Sequence, residues 1–407
     1  MPEGSAFRPE KQSGRILREK GFCSAPQAFK IPAGAGQSFK ARGYLVRGQF
    51  GMLMRAAVLA AMVAFLPQAA FAAEPAPRDW GVQIFPAMEK YGFIRFYTMW
   101  QSEFAAAVDA AAAAGMRRAL IAKRWSEIEP RAGKIKTDDI AREAALYRAK
   151  NIDIFFGLQL INTVKAELPE DLSGKAWDSP EVASRALAVV DKTLALLPQD
   201  RPVYFSFGNE VDVYFEKAPQ ELDAFLRLYA AVRAHIAARY PHVRTGITTT
   251  YDGYLHGRKA MIAQIQAATD IVIFTYYPLD GFKARPPDAP LRDIPEMVKV
   301  ASPRPLVLQE AGYPSAARIG SSEDMQADFV RHLFAAWDAA AADILHVSVF
   351  MQTDFTRKIC EDLTAYYGLS APAYKDDFMA MLCTLGLRTA DGREKPAWAA
   401  LREVAGR

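Results

Sequence analysis

From Trp80 onward the chain alternates between two hydrophobic patterns. Short runs rich in β-branched and aromatic residues take turns with longer Ala/Leu/Glu/Lys-rich stretches of helical period. The short runs predict strands at 80–85, 118–123, 152–160, 202–207, 243–249, 270–277, 305–310 and 344–351. A competing first strand is "FIRFYTMW", 93–100. Between the runs lie helical segments such as "EFAAAVDAAAAAG", closed by Gly115, and "SPEVASRALAVVDKTLALL", opened by Ser179-Pro180. The segments 219–240 and 321–342 follow the same logic, with proline or serine where helix starts favour them. Eight strand–helix units over about 320 residues predict a single (β/α)₈ barrel of the α/β class. A doubly wound sheet is the alternative, but its glycine-rich first turn is missing.

Catalytic groups of such a barrel sit where strands end at their C-terminal side. Strand 4 ends "FGNEVD", with Asn209-Glu210, and strand 7 ends "LQEAGYPS", with Gln309-Glu310. Strand 6 ends in Tyr276-Tyr277 and strand 2 in Lys123-Arg124-Trp125. Paired carboxylates facing each other across the mouth are what glycosidic cleavage needs. Side-chain alternation supports the placement. If Glu210 points inward, so do Gly208, Ser206 and Tyr204, while Phe207, Phe205 and Val203 face the helices. Thr275 and Tyr277 share the inward face of strand 6; His346, Ser348, Phe350 and Gln352 share that of strand 8. Strict alternation turns Asn209 away from Glu210, so a bulge or loop start is expected there.

Ahead of this body lies a different kind of chain. Of the 50 Lys/Arg and 46 Asp/Glu, ten and three fall in residues 1–55. The remaining residues hold 40 basic and 43 acidic side chains, so the basic balance belongs to the leader and nothing supports a nucleic-acid-binding body. Residues 1–51 read as an unstructured leader, with Met52 or Met54 an alternative start. Residues 52–72 read as a signal peptide: Arg55, an apolar stretch from Ala56 to Leu66, Pro67, then Ala70-Phe71-Ala72. The apolar stretch is short for a spanning helix. The expected mature chain, 73–407, is therefore secreted or periplasmic, with no membrane span after cleavage. Cys23 falls in the leader, and Cys360 with Cys383 would form one disulfide in an oxidising compartment. The five histidines form no ligand cluster, so neither metal nor cofactor is expected.

The chain resembles the clan A glycoside hydrolases, (β/α)₈ enzymes with acid/base and nucleophile glutamates on strands 4 and 7. "FGNEVD" is similar to that clan's Asn-Glu motif. "LVLQEAGYPSAA" resembles the nucleophile segment of the family 17 β-1,3-glucanases, and "FTYYP" resembles strand 6 of the family 53 galactanases. "RWSEIEPRAGKI" and the tail "LGLRTADGREKPAWAAL" are similar to segments of several clan members. The strand 8 tryptophan of many members is replaced here by Phe350-Met351-Gln352. The resemblance implies retaining double displacement on a β-linked oligo- or polysaccharide, with Glu310 as nucleophile and Glu210 as acid/base. It implies that Asn209 holds the substrate 2-hydroxyl, that Tyr277 or Tyr276 orients Glu310, and that Arg124 lowers its pKa. Trp100, Trp125, Trp177 and Tyr313 are candidate stacking platforms, and Gln352 is a candidate substrate contact. Glu127 and Glu129 read as structural. A monomer is the default. A non-catalytic glycan-binding barrel of the cell envelope is the alternative function; a lyase or metal-dependent deacetylase is disfavoured by the missing ligand cluster.

Overall fold

The computed structural model describes residues 78–89 and 93–405. The expected leader and signal peptide lie outside the described residues, as does Cys23. Eight parallel strands follow one another around a ring: β1 (Trp80–Val82), β2 (Arg118–Arg124), β3 (Asp153–Asn162) and β4 (Val203–Asn209). They continue as β5 (Val243–Gly246 and Thr248–Thr250), β6 (Val272–Tyr276), β7 (Leu306–Ala311) and β8 (Ile344–Val349). The first half of β5 pairs with β4 and the second half with β6, so this strand joins the two ladders. β8 pairs with β1, and the Arg117 N–H donates to the Trp80 carbonyl at 2.9 Å, which links β1 to the start of β2. The second strand candidate near the start, 93–100, belongs instead to the helix Phe93–Ala113. Its continuous apolar run serves a helix with an alanine-rich second half, which strand alternation alone does not distinguish.

Helices fill the intervals between strands, and their ends follow local chemistry. Ser179 accepts from the Val182 N–H at 3.4 Å ahead of Pro180–Leu194, and Ser322 accepts from the Met325 N–H at 3.1 Å ahead of Glu323–Ala339. The outward faces of β3 and β4 bury Phe156, Phe205 and Phe207 against the helix layer, where Phe225 and Tyr229 pack on Phe207. Inside, the ring is filled in tiers. At the N-terminal end Arg118 is paired with Asp79 and lies 4.2 Å over the Tyr204 ring, beside His346. Above it Phe155, Tyr204, Ile271, Ile273 and Val307 form an apolar plug. The ring is therefore a packed core rather than a channel, and only its C-terminal end is open for chemistry.

After β8 the chain builds a cover over that end. Helices Arg357–Tyr366 and Pro372–Leu382 are joined by the Cys360–Cys383 disulfide. The chain then returns through 384–395 to the closing helix Pro396–Ala405. The return is clamped by a buried ion pair: Lys395 Nζ donates to Asp354 Oδ1 at 2.9 Å and to Ser315 Oγ at 3.1 Å. Burial pushes the Asp354 carboxyl up to about 6 and the Lys395 ammonium down, as expected for two desolvated charges, although the pair and the Gly386 N–H, which donates to Asp354 at 2.7 Å, oppose the shifts. Replacing Lys395 by Met strands the carboxylate, and the expected loss of stability is about 3–5 kcal/mol. Urea denaturation of wild type and variant reads it directly; a loss below about 1 kcal/mol would show that the pair does not hold this segment. Among the described residues no helix is long and apolar enough to cross a membrane.

Candidate active site

Two adjacent polar residues on one strand normally face opposite sides. Asn209 and Glu210 both reach the mouth because the end of β4 departs from the ladder. The β3–β4 register shifts between Leu158 and Asn162, and Gly208 takes φ +92°. A Cβ on Gly208 would meet Val211 Cγ1 at 2.5 Å, so this position needs glycine for space as well as for backbone angle. Glu210 itself stands at φ 49° and opens the helix Val211–Lys217. β7 uses the same device: its pairing with β6 shifts between Leu308 and Glu310, and Gln309 and Glu310 both turn inward. Gln309 Nε2 donates to Asn209 Oδ1 at 2.7 Å, while Thr248 Oγ1 donates to Gln309 Oε1 at 2.7 Å. The Asn209 amide also donates to Asn162 Oδ1 at 3.2 Å. The two glutamate-bearing strands are thus tied across the ring by their neighbouring amides.

Each carboxylate is held separately. Glu210 accepts from Thr275 Oγ1 at 2.7 Å and Thr163 Oγ1 at 2.8 Å. Glu310 accepts from the Tyr277 hydroxyl at 2.6 Å. Gly312 makes room for this phenol: a Cβ there would come within 2.6 Å of the Tyr277 ring. Both glutamates line one cavity of about 460 Å³. Gln83, Gln159, Asn162 and Asn209 supply its polar floor. Burial pushes the Glu310 carboxyl up to about 7, and the nearby charge of Glu210 adds to the rise. Burial raises Glu210 too; the charge of Asp212 adds, and the threonine bonds and Arg258 oppose. Burial and the Glu310 charge lift the Tyr277 phenol well above 10, which keeps it a donor. A buried carboxyl pair that repels its second charge can hold one proton and one anion at neutral pH, the state that acid plus nucleophile requires.

The fold places this chain among solved structures. It matches a GH5_18 enzyme from Bifidobacterium longum subsp. infantis at 18% identity and TM-score 0.61, over 81% of this chain and 78% of that one. It matches GH5_18 from Streptomyces cattleya, solved with GlcNAc, at 20% identity and TM-score 0.60, over 81% and 80%. An exo-β-1,4-mannosidase from Opitutaceae bacterium strain TAV5 gives 18% identity and TM-score 0.58; 81% of this chain covers 59% of that one. The chain shares the (β/α)₈ fold of these glycoside hydrolases. No family model and no curated protein matches the sequence.

Within this barrel, the expected site residues separate into two groups. Glu210, Glu310, Asn209 and Tyr277 meet in the cavity, and Phe350 lines it at the end of β8. Arg124 does not reach Glu310: it pairs with Glu127 and lies 4.0 Å from Glu167, so the expected lowering of the nucleophile pKa is replaced by a rise. Trp125 is wholly buried and donates to Glu129 at 2.9 Å, and Trp177 is buried with its indole on Glu221 at 2.8 Å. Tyr313 is buried with its hydroxyl on the Arg285 carbonyl, stacked on Phe329. Trp100 lies edge-on to Phe85 and lines a different cavity, with Phe104 and Lys123. Tyr276 points outward to Asp293 at 2.8 Å, and Gln352 is buried against the Ala107 carbonyl at 2.9 Å. None of these serves the mouth. Glu129 accepts from Trp125, Gly133 and Arg185, a structural role. Cys360 and Cys383 are bonded. Among the described residues no group of acidic, histidine or cysteine side chains could hold a metal.

Sequence reading did not single out Thr163, Asn162, Gln83 or Tyr367. The polar ends of "FFGLQLINT" and "WGVQ" were the available signal. Tyr367 could not be found that way, since it comes from a helix of the cover. The Tyr277 bond gives a sharp expectation. Tyr277→Phe removes a donor that favours the Glu310 carboxylate, so the Glu310 pKa rises further. A hydrogen bond to a charged group at about 1.5–3 kcal/mol corresponds to about one to two pH units. The acid limb of the kcat/KM profile should move up by about one to two units, with about a 5–50-fold loss at pH 7. An unmoved limb would show that the bond is not made in the working enzyme.

Proposed function

We propose that the chain is a retaining glycoside hydrolase acting on a β-linked glycoside outside the cytoplasm. The observation that carries this reading is the convergence of two buried, separately anchored glutamates from β4 and β7 on one cavity. The clan A fold supports it. So do the GH5_18 enzyme from Streptomyces cattleya solved with Manβ1-4GlcNAc and the disulfide together with the signal-like 52–72 segment. In the first step a Glu310 oxygen attacks the anomeric carbon, the glycosidic bond breaks, and Glu210 gives its proton to the departing oxygen. In the second, Glu210 takes a proton from water, whose oxygen displaces Glu310. Asn209 is positioned to donate to the 2-hydroxyl, because its Oδ1 is already occupied by Gln309.

A 2-fluoro glycosyl fluoride, with a good leaving group and a slowed second step, should label Glu310. Label on another residue would overturn the assignment. NMR of the first product should show the β-anomer, and an α-anomer would overturn retention. Binding without turnover across aryl β-glycosides would favour the non-catalytic glycan-binding barrel.

A further inference from the structure

The cavity has two unlike halves. Its floor is the amide-rich end of β1, β3 and β4, Thr250, Asp252 and Arg258 also line it, and its cover is apolar. Leu363, Phe378, Met381 and Leu382 from the disulfide-linked helices face it, with Phe282 from the loop after β6 and Phe355 from the loop after β8. These groups form one packed cluster. Phe282 lies 5.5 Å from Phe378, which lies 5.3 Å from Tyr367; Phe350 lies 5.8 Å from Tyr277 and 6.2 Å from Phe355. The cluster reaches both carboxylates. Tyr277 holds Glu310, and Tyr367 interacts with Thr163, which donates to Glu210. The neighbouring Tyr366 fastens this end of the cover to the Asn162 carbonyl at 3.1 Å and to Glu167 at 2.8 Å.

No tryptophan lines the cavity among the described residues. A long glycan needs hydroxyl partners at each successive sugar, and Leu363, Phe378, Met381, Leu382, Phe282 and Phe355 supply none. The cavity volume, about 460 Å³, lies in the range of sites that enclose one small molecule.

We propose that the substrate is a β-glycoside of an apolar alcohol, an alkyl or aryl aglycone, with the sugar on the amide floor and the aglycone against the Phe/Leu/Met cover. The inference rests on the hydrolase reading above and names its substrate class. The C1–O bond to the aglycone breaks, Glu210 protonates that oxygen, and C1 bonds to Glu310; water then releases the sugar, so the products are one sugar and one alcohol. The apolar wall supplies binding energy to the leaving group while the oxygen beside it stays in reach of the acid.

The test uses the full chain with methyl, butyl, hexyl and octyl β-glucosides and β-mannosides, and with β-linked disaccharides of the same sugars. Burial of each methylene in the cover raises kcat/KM by up to about fourfold, so the octyl glycoside should exceed both the methyl glycoside and the disaccharide by at least about 100-fold. Phe378→Ala and Met381→Ala should lower the octyl rate more than the methyl rate. A flat chain-length series with the disaccharide preferred would overturn the inference and leave the hydrolase reading standing. Absence of turnover on every substrate, together with no 2-fluoro label on Glu310, would overturn both.

Discussion

Glu310→Gln should abolish turnover, with a fall in kcat/KM greater than about 10⁴-fold, and at alkaline pH it should make the protein more stable. Loss of activity follows from removing the attacking oxygen: an amide cannot form the glycosyl ester, and single-residue nucleophile losses of about 10⁶-fold are known in other enzymes. The gain in stability follows from the same burial that prepares the group. Glu310 titrates at about 7 in the folded chain against 4.5 for an ordinary glutamate. A raised folded pKa means that the neutral form stabilises the fold fully below about pH 4.5. That contribution is lost as pH rises through 7. Above 7 the ionised carboxylate opposes folding by about 3 kcal/mol, at about 1.36 kcal/mol per pH unit. A glutamine never ionises, so Glu310→Gln should exceed wild type in urea-denaturation stability at pH 8.5, with the advantage shrinking towards pH 5. Equal stability at both pH values would show that burial does not control this carboxyl. An active glutamine variant would remove Glu310 from the chemistry altogether.

Substitution of Glu210 should behave differently, and the difference identifies its role. Glu210→Ala removes the proton donor of the first step and the base of the second, each worth about 10²–10⁴-fold. For a substrate whose leaving group needs no proton, such as a 2,4-dinitrophenyl glycoside, the first step should survive. Glycosyl-enzyme should then accumulate, visible as a burst and as added mass on Glu310. Azide needs no general base and should restore turnover, releasing a β-glycosyl azide. Alkyl glycosides should lose the full effect with no rescue of the first step. A uniform loss across all leaving groups would mean that Glu210 positions substrate and does not transfer the proton. Burial raises the Glu210 pKa and the charge of Asp212 adds to the rise, while the Thr275 and Thr163 bonds and the charge of Arg258 oppose it.

Sequence reading found what periodicity and motif determine jointly. Alternation placed Ser206, Thr275 and Tyr277 inward and Phe205, Phe207 and Phe274 outward, and their partners in the structure agree. It found Glu210 and Glu310 because both stand at strand ends beside a polar neighbour. It could ask for a bend at Asn209 but could not locate it, since a local register shift leaves composition unchanged; Gly208 is its physical trace. The aromatic platforms failed for a related reason. Trp125 and Tyr313 follow strand ends as closely as the two glutamates do, but each carries a polar atom satisfied away from the cavity, by Glu129 or the Arg285 carbonyl. Which way a large amphipathic ring turns at such a point is decided by tertiary contacts. Arg124 shows the same limit in charge: Glu127, one turn away, offers a local partner, and the cavity does not. The cover could not be foreseen as a wall of the site, because Leu363, Phe378, Met381 and Leu382 lie 53 to 72 positions beyond Glu310 on helices outside the repeating units.

The Cys360–Cys383 bond bears on how the protein should be prepared. The ring of strands and both glutamates owe nothing to it, whereas it fastens the two helices that bring Leu363, Phe378, Met381 and Leu382 over the cavity. Closing a loop with a sequence separation of 23 residues removes about 3 kcal/mol of chain freedom from the opened form. Material made in a reducing host would therefore retain its reactive groups while its ceiling hangs on tyrosine anchors and side-chain packing alone. Thiol-containing buffers would act on selectivity before they acted on chemistry.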